Sequence, residues 1–69
     1  MPLLISYFDV SNLKAFREAL EKVEELRLAV PVEVVNIEME GEKVKLVVRV
    51  PADSLRLVRS AFPEGVLLG

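Results

Sequence analysis

The most regularly spaced residues that could carry chemistry in this chain are the carboxylates Glu38, Glu40 and Glu42. Alternate positions of a strand share one face, where carboxylate oxygens can gather around Mg²⁺ or Ca²⁺. Lys43 and Lys45 follow them directly, and opposite charges at this spacing are typical of a solvent-facing sheet surface. We therefore predict no metal site.

The residue types present offer little for catalysis. The serines have no histidine to activate them, and the chain contains no cysteine. Acid–base catalysis by two carboxylates needs a cleft that gives them different environments, whereas Asp9 and Asp53 precede predicted helices, where capping is the simpler role. The glycines are isolated, so no glycine-rich phosphate loop is expected. The sequence predicts no catalytic residue, no cofactor and no enzymatic activity.

The first half of the chain contains a strand and a helix. The apolar run over residues 3–8 predicts a first strand, which the cap formers Asp9, Ser11 and Asn12 follow. From Leu13, apolar residues recur at spacings of three and four, which predicts an amphipathic helix that ends before Pro31.

Residues 32–50 predict a β-hairpin in which Gly41 and Glu42 form a two-residue type II′ turn. This register places Glu40 opposite Lys43 and Glu38 opposite Lys45, both on the outer face of the sheet. Val34 and Val47 fall on that outer face, and Tyr7 or Leu3 join them if the first strand lies beside the third. The inner face then holds Val35, Ile37, Met39, Val44, Leu46 and Val48.

The last third of the chain predicts a second helix and a final strand. Asp53 or Ser54 caps the helix, Pro63 stops it, and residues 66–68 form the strand. The order β-α-β-β-α-β is that of the ferredoxin-like α+β sandwich, with two helices on one face of a four-stranded antiparallel sheet. We expect one domain over residues 1–69.

The apolar content is high for a chain of this length. Hydrophobic residues make up 52% of 69 residues, and a domain so small cannot bury them all by itself. A partner chain is one place to bury the surplus. We expect self-association or binding to another protein subunit, through an interaction surface that comprises Tyr7, Val34, Val47 and Arg49.

The charge is divided unevenly along the chain. Residues 1–42 carry a net charge of −5 and residues 43–69 a net charge of +3. The basic half could contact nucleic acid, but the third strand shows no aromatic residue outward, which argues against RNA binding on the sheet.

No run is long enough for a membrane span, and we expect a cytoplasmic protein. The scarcity of thermolabile residues fits a thermophilic source or a designed sequence without a biological task.

Residues 13–62 resemble the Pcc1 family, the small dimerising subunit of the KEOPS complex. The resemblance lies in the helix residues 15–20, in the hairpin around Gly41, and in Ala52-Asp53-Ser54-Leu55-Arg56. It implies a non-catalytic scaffold in tRNA threonylcarbamoylation. That family has a long second helix used in dimerisation, whereas here Pro63 shortens the helix.

The hairpin and the segment 50–55 are also similar to the ligand-sensing modules of the ACT and RAM type. That resemblance implies a dimer that binds an amino acid at its interface. The glycine that ACT domains often place after the first strand is missing, because residues 9–12 read Asp-Val-Ser-Asn. We expect an assembly module first and a ligand sensor as the alternative.

Overall fold

Alternating apolar residues form the strands, and apolar residues at helical spacing form the helices, in the predicted order. The computed structural model describes residues 2–68. Its elements are β1 (Leu3–Asp9), α1 (Leu13–Leu26), β2 (Glu33–Glu40), β3 (Lys43–Arg49), α2 (Leu55–Ala61) and β4 (Val66–Leu68). A 3₁₀ turn at Ala52–Ser54 leads into α2. No helix in residues 2–68 has the length and apolar character needed to cross a membrane.

The sheet has the strand order β2-β3-β1-β4, and every neighbouring pair is antiparallel. Both helices contribute to one core on the same face of the sheet, which confirms the ferredoxin-like α+β fold. The final strand is confirmed as well, because β4 pairs with β1 from Leu3–Leu68 to Ile5–Val66.

The core lies between the helices and the central strands β1 and β3. Leu4 of β1 and Leu46 and Val48 of β3 point into it and are almost fully buried. The helices complete the core with Ala19, Val23 and Val58, together with Phe62, which directly follows α2. Because neighbouring residues of a strand face opposite ways, the odd-numbered residues of β1 and Val47 of β3 lie on the other face.

A β-bulge at Val35 corrects the predicted hairpin register. Ile37 lies opposite Leu46 and Met39 opposite Val44, as predicted, but Val48 pairs with Val34 instead of Val35. The extra residue shifts the alternation by one, so Val34 packs against the core. The prediction that Val34 lies on the outer face was therefore wrong.

The turn of the hairpin has the predicted geometry. Gly41 has a φ of +63°, and in residues 2–68 no residue other than glycine has a positive φ. A positive φ at the first turn residue alone is the signature of type II′, and glycine reaches it without steric cost.

The helix caps agree with prediction only in part. Asn12 caps α1, since its Oδ1 accepts a hydrogen bond from the Ala15 N–H at 3.4 Å. Asp9 was wrongly predicted to cap: it belongs to β1, and its carboxylate binds Lys43. Ser54 precedes α2 as its N-cap residue but its side chain accepts no capping hydrogen bond, and its hydroxyl donates to Asp53 Oδ1 at 3.3 Å.

Candidate protein-interaction surface

The sheet face turned away from the helices, called here the open face, carries a row of apolar side chains. Tyr7, Val66 and Leu68 are each about half exposed, and Leu3 and Ile5 are partly exposed. Val47 lies among them on the central strand β3. We call this set the open-face strip: Leu3, Ile5, Tyr7, Val47, Val66 and Leu68.

Strand register makes the open-face strip continuous. Ile5 lies directly between Val66 on β4 and Val47 on β3, so three apolar residues form a row across three strands. Leu3 and Leu68 form the next row. Directly opposite residues have their Cβ atoms about 5 Å apart, so these side chains touch one another.

The four residues predicted for the interaction surface have different positions. Tyr7 lies on the open-face strip and is exposed. Val47 is also on the strip but is only 7% exposed, because it sits on a central strand between Ile5 and Asn36. Arg49 lies at one end of the open face. Val34 lies on the opposite face and packs against the core, because the bulge at Val35 shifts the alternation by one residue.

Ion pairs border the strip on the β2 and β3 side. Lys45 Nζ lies 3.8 Å from Glu40 Oε2, and Arg49 Nη1 lies 3.4 Å from Glu33 Oε1. Lys43 Nζ lies 2.7 Å from Asp9 Oδ1. These three pairs keep one border of the open face polar.

Glu40 lies opposite Lys43 and Glu38 opposite Lys45, as predicted, but the ion pairs expected within these two couples were wrong. Strand β3 lies between β1 and β2, so Lys43 has Asp9 on one side and Glu40 on the other. It bonds to Asp9 and leaves Glu40 to Lys45. Since Lys43, Lys45 and Arg49 are each paired with a carboxylate, the open face offers little unneutralised positive charge to a phosphate backbone.

Sequence reasoning did not include Ile5, Val66 and Leu68 in the surface. Their signal was present: the ferredoxin-like strand order puts β4 beside β1, and Leu67 packs against the core opposite Leu4. Alternation then turns Val66 and Leu68 outward. Placing them required the tertiary pairing of β4, which a run of three apolar residues does not reveal alone.

A groove lies on the helical side of the domain. It has a volume of about 290 Å³ and lies between α1, β1 and residues 61–65. Ser6, Glu18, Lys22 and Glu64 give it polar character. Lys22 Nζ also donates to the Ala61 carbonyl at 3.4 Å, which links the two helices. Over residues 2–68, no three carboxylates come close enough together to hold a metal ion.

No family model, curated protein or solved structure matches the chain.

Proposed function

We propose that this protein is a non-catalytic assembly module that pairs with a second copy of itself through the open face. The observation that carries the proposal is the open-face strip, in which Tyr7, Val66 and Leu68 remain about half exposed. Contiguous apolar surface of this kind on a small domain favours association, because burying it removes apolar area from water.

A two-fold axis through the open face would bring strip against strip. In such a dimer each residue of the strip meets a residue of the same set, and one patch serves both copies. The ion pairs of Lys45 with Glu40 and Arg49 with Glu33 stay at the border, where water can reach them. On this side the open face therefore has the polar border that protein interfaces usually place around an apolar centre.

The size of the open face sets the strength that we expect. The three long strands are about 23–26 Å long and the three-residue β4 is about 10 Å long, so at a strand spacing of about 4.8 Å the open face projects an area on the order of 400 Å². Specific interfaces bury roughly 500 Å² or more on each partner, so even the whole open face forms an interface at the small, weakly binding end of the range. We expect a reversible dimer with a dissociation constant on the order of 10 µM.

The likeness to the KEOPS subunit extends this proposal to a place in a larger complex, as a scaffold for tRNA modification. Helix α2 has seven residues, so this module would dimerise through its sheet and not through a long second helix. Contact with tRNA would fall to other subunits, because carboxylates neutralise the basic residues of the open face.

The direct test is sedimentation equilibrium of the purified chain from about 5 µM to about 500 µM, a range that brackets the expected dissociation constant. We expect a monomer–dimer equilibrium. Val66→Glu places a carboxylate in the contact twice, once from each copy, and should raise the dissociation constant at least about tenfold.

Leu57→Glu is the matched control for Val66→Glu. Leu57 is about as exposed as Val66 but lies on α2, on the helical side. The control should fold and dimerise as the parent does. A parent chain that stays monomeric throughout the series contradicts self-association, and equal weakening by both variants contradicts the choice of the open face.

The groove beside Ser6 favours one alternative, a ligand-sensing module. Its carboxylates Glu18 and Glu64 and the Lys22 ammonium could hold the amine and carboxylate of a free amino acid. A ligand that binds only the folded chain raises its melting temperature by mass action. A thermal-shift screen with the twenty amino acids tests this alternative, and Lys22→Met should abolish any shift found.

A further inference from the structure

Strand β2 forms an open edge of the sheet. Among residues 2–68 it pairs only with β3, so the N–H and C=O groups of its outer side have no strand partner. It is eight residues long, whereas β4 at the opposite edge has three. A long open edge is a template on which another chain can add a strand.

The two faces of this edge differ in chemistry. Ile37 and Met39 lie on the helical side yet remain exposed, because α1 packs against β1, two strands away from β2. Glu38 and Glu40 lie on the open face. A strand added at the edge would meet apolar side chains on one face and carboxylates on the other.

A second copy of β2 is a poor occupant for this edge. The bulge at Val35 limits regular self-pairing to residues 36–40. A two-fold pair centred on this segment sets Glu38 opposite Glu38 and Asn36 opposite Glu40. Like charges that lie directly opposite in a sheet are destabilising.

Strand β3 shows which pattern β2 does accept. Lys43 and Lys45 lie opposite Glu40 and Glu38, and Val44 and Leu46 lie opposite Met39 and Ile37, the partners that share their faces. An incoming strand with the same alternation would satisfy both faces of the outer edge. The Glu40 side chain remains 44% exposed beside Lys45. A second cation can therefore reach its carboxylate.

We infer that the outer edge of β2 binds an extended segment of another protein in which Lys or Arg alternates with apolar residues. Main-chain hydrogen bonds to the edge supply the affinity, and the alternation of charge and apolar side chains supplies the selectivity. This interaction uses the edge and leaves the open-face strip free, so it stands independently of dimerisation.

The probe for this inference is a capped peptide that copies β3, Lys-Val-Lys-Leu-Val-Val-Arg, and its control replaces each basic residue by Glu. Nuclear magnetic resonance titration of the full chain should show shifts and slowed hydrogen exchange at the β2 amides that point away from β3. The acidic control should not bind. Replacement of β3 by the peptide would instead disturb the amides of β1, and that outcome contradicts edge addition.

Two variants with the same change in net charge distinguish ion pairing of the peptide with Glu38 and Glu40 from long-range attraction between the peptide and the protein. Glu38→Lys with Glu40→Lys should weaken peptide binding at least about tenfold. Glu21→Lys with Glu25→Lys makes the same charge change on the exposed face of α1 and should alter binding by less than about threefold. Equal weakening by both variants, or no binding at millimolar peptide, overturns the inference. Val66→Glu should bind the peptide as the parent does.

Discussion

Strands β2 and β3 are joined by a two-residue turn and share an alternating pattern, yet they have opposite exposures. Leu46 of β3 is 1% exposed, whereas its partner Ile37 on β2 is 49% exposed. Val44 is 4% exposed and its partner Met39 is 64% exposed. Each pair shares one face of the sheet, so the difference does not come from side-chain direction.

The difference comes from position in the sheet. Strand β3 has a neighbour on each side and lies under the helices, whereas β2 has one neighbour and lies beyond α1. A residue as apolar as Ile37 is therefore left uncovered by topology alone. The core is therefore built mainly on β1 and β3, and the exposed residues Ile37 and Met39 of β2 are available for another contact.

Truncating the members of one pair is the strongest way to test the comparison. Leu46→Ala removes a fully buried side chain and should lower the free energy of unfolding by about 2–5 kcal/mol. Ile37→Ala removes a half-exposed one and should cost about 1 kcal/mol or less. Urea denaturation of the two variants beside the parent measures both losses.

A domain of this length has a total stability of about 3–10 kcal/mol, so Leu46→Ala could already unfold in water. Leu46→Val and Ile37→Val then preserve the comparison with smaller losses, read as melting temperatures. Equal losses within either set would mean that Ile37 is covered in solution, against the exposure described above.

The turn that joins the two strands should respond next most strongly. Gly41→Ala forces a Cβ onto a residue with a φ of +63° and should cost about 1–2 kcal/mol. Space is not the cause, because no atom lies within 4 Å of the position that the Cβ would take. The neighbouring Glu42→Ala, at a residue with a negative φ, should change stability by about 0.5 kcal/mol or less. A harmless Gly41→Ala would mean that the turn adopts another type in solution.

Local pattern was sufficient to predict the elements and the turn, since periodicity and capping are encoded within a few residues. It could not predict the bulge, because Val34 and Val35 are identical and either one can face Val48. The correct choice depends on the core: Val32 is buried beneath the helices, and Val34 shares its face. The alternation of residues along the strand alone does not show which of the two valines faces the core.

The candidate surface was predictable to a similar degree. Tyr7 and Val47 were placed correctly by alternation, but the burial of Val47 follows from its central strand. The partner of Lys43 was missed because Asp9 comes beside it only when β1 pairs with β3, 34 residues away in sequence. Long-range pairing decides such contacts, and local charge patterns do not report it.

Deleting Val35 should have the smallest effect on stability and a clear effect on the edge. The deletion leaves Val34 opposite Val48 and Asn36 opposite Val47, as they already are, and makes the alternation regular. The free energy of unfolding should change by less than about 1 kcal/mol. Deleting Glu38 is the matched control, because it would turn Asn36 towards the core beside Leu46 and Ile37 outward, which should cost more.

The same deletion also bears on why the bulge is there. Without it, β2 gains a self-pairing register centred on Ile37, in which Glu38 lies opposite Asn36 and the only facing carboxylates, Glu33 and Glu40, lie at the two ends of the strand pair. In the Val66→Glu background, where the open face no longer associates, the deletion should therefore create a new dimer detectable by sedimentation. If that double variant stays monomeric, the glutamates alone protect the edge from other copies. If it dimerises, the bulge prevents β2 from pairing with β2 of a second copy, and the outer edge stays accessible to a basic strand of another protein.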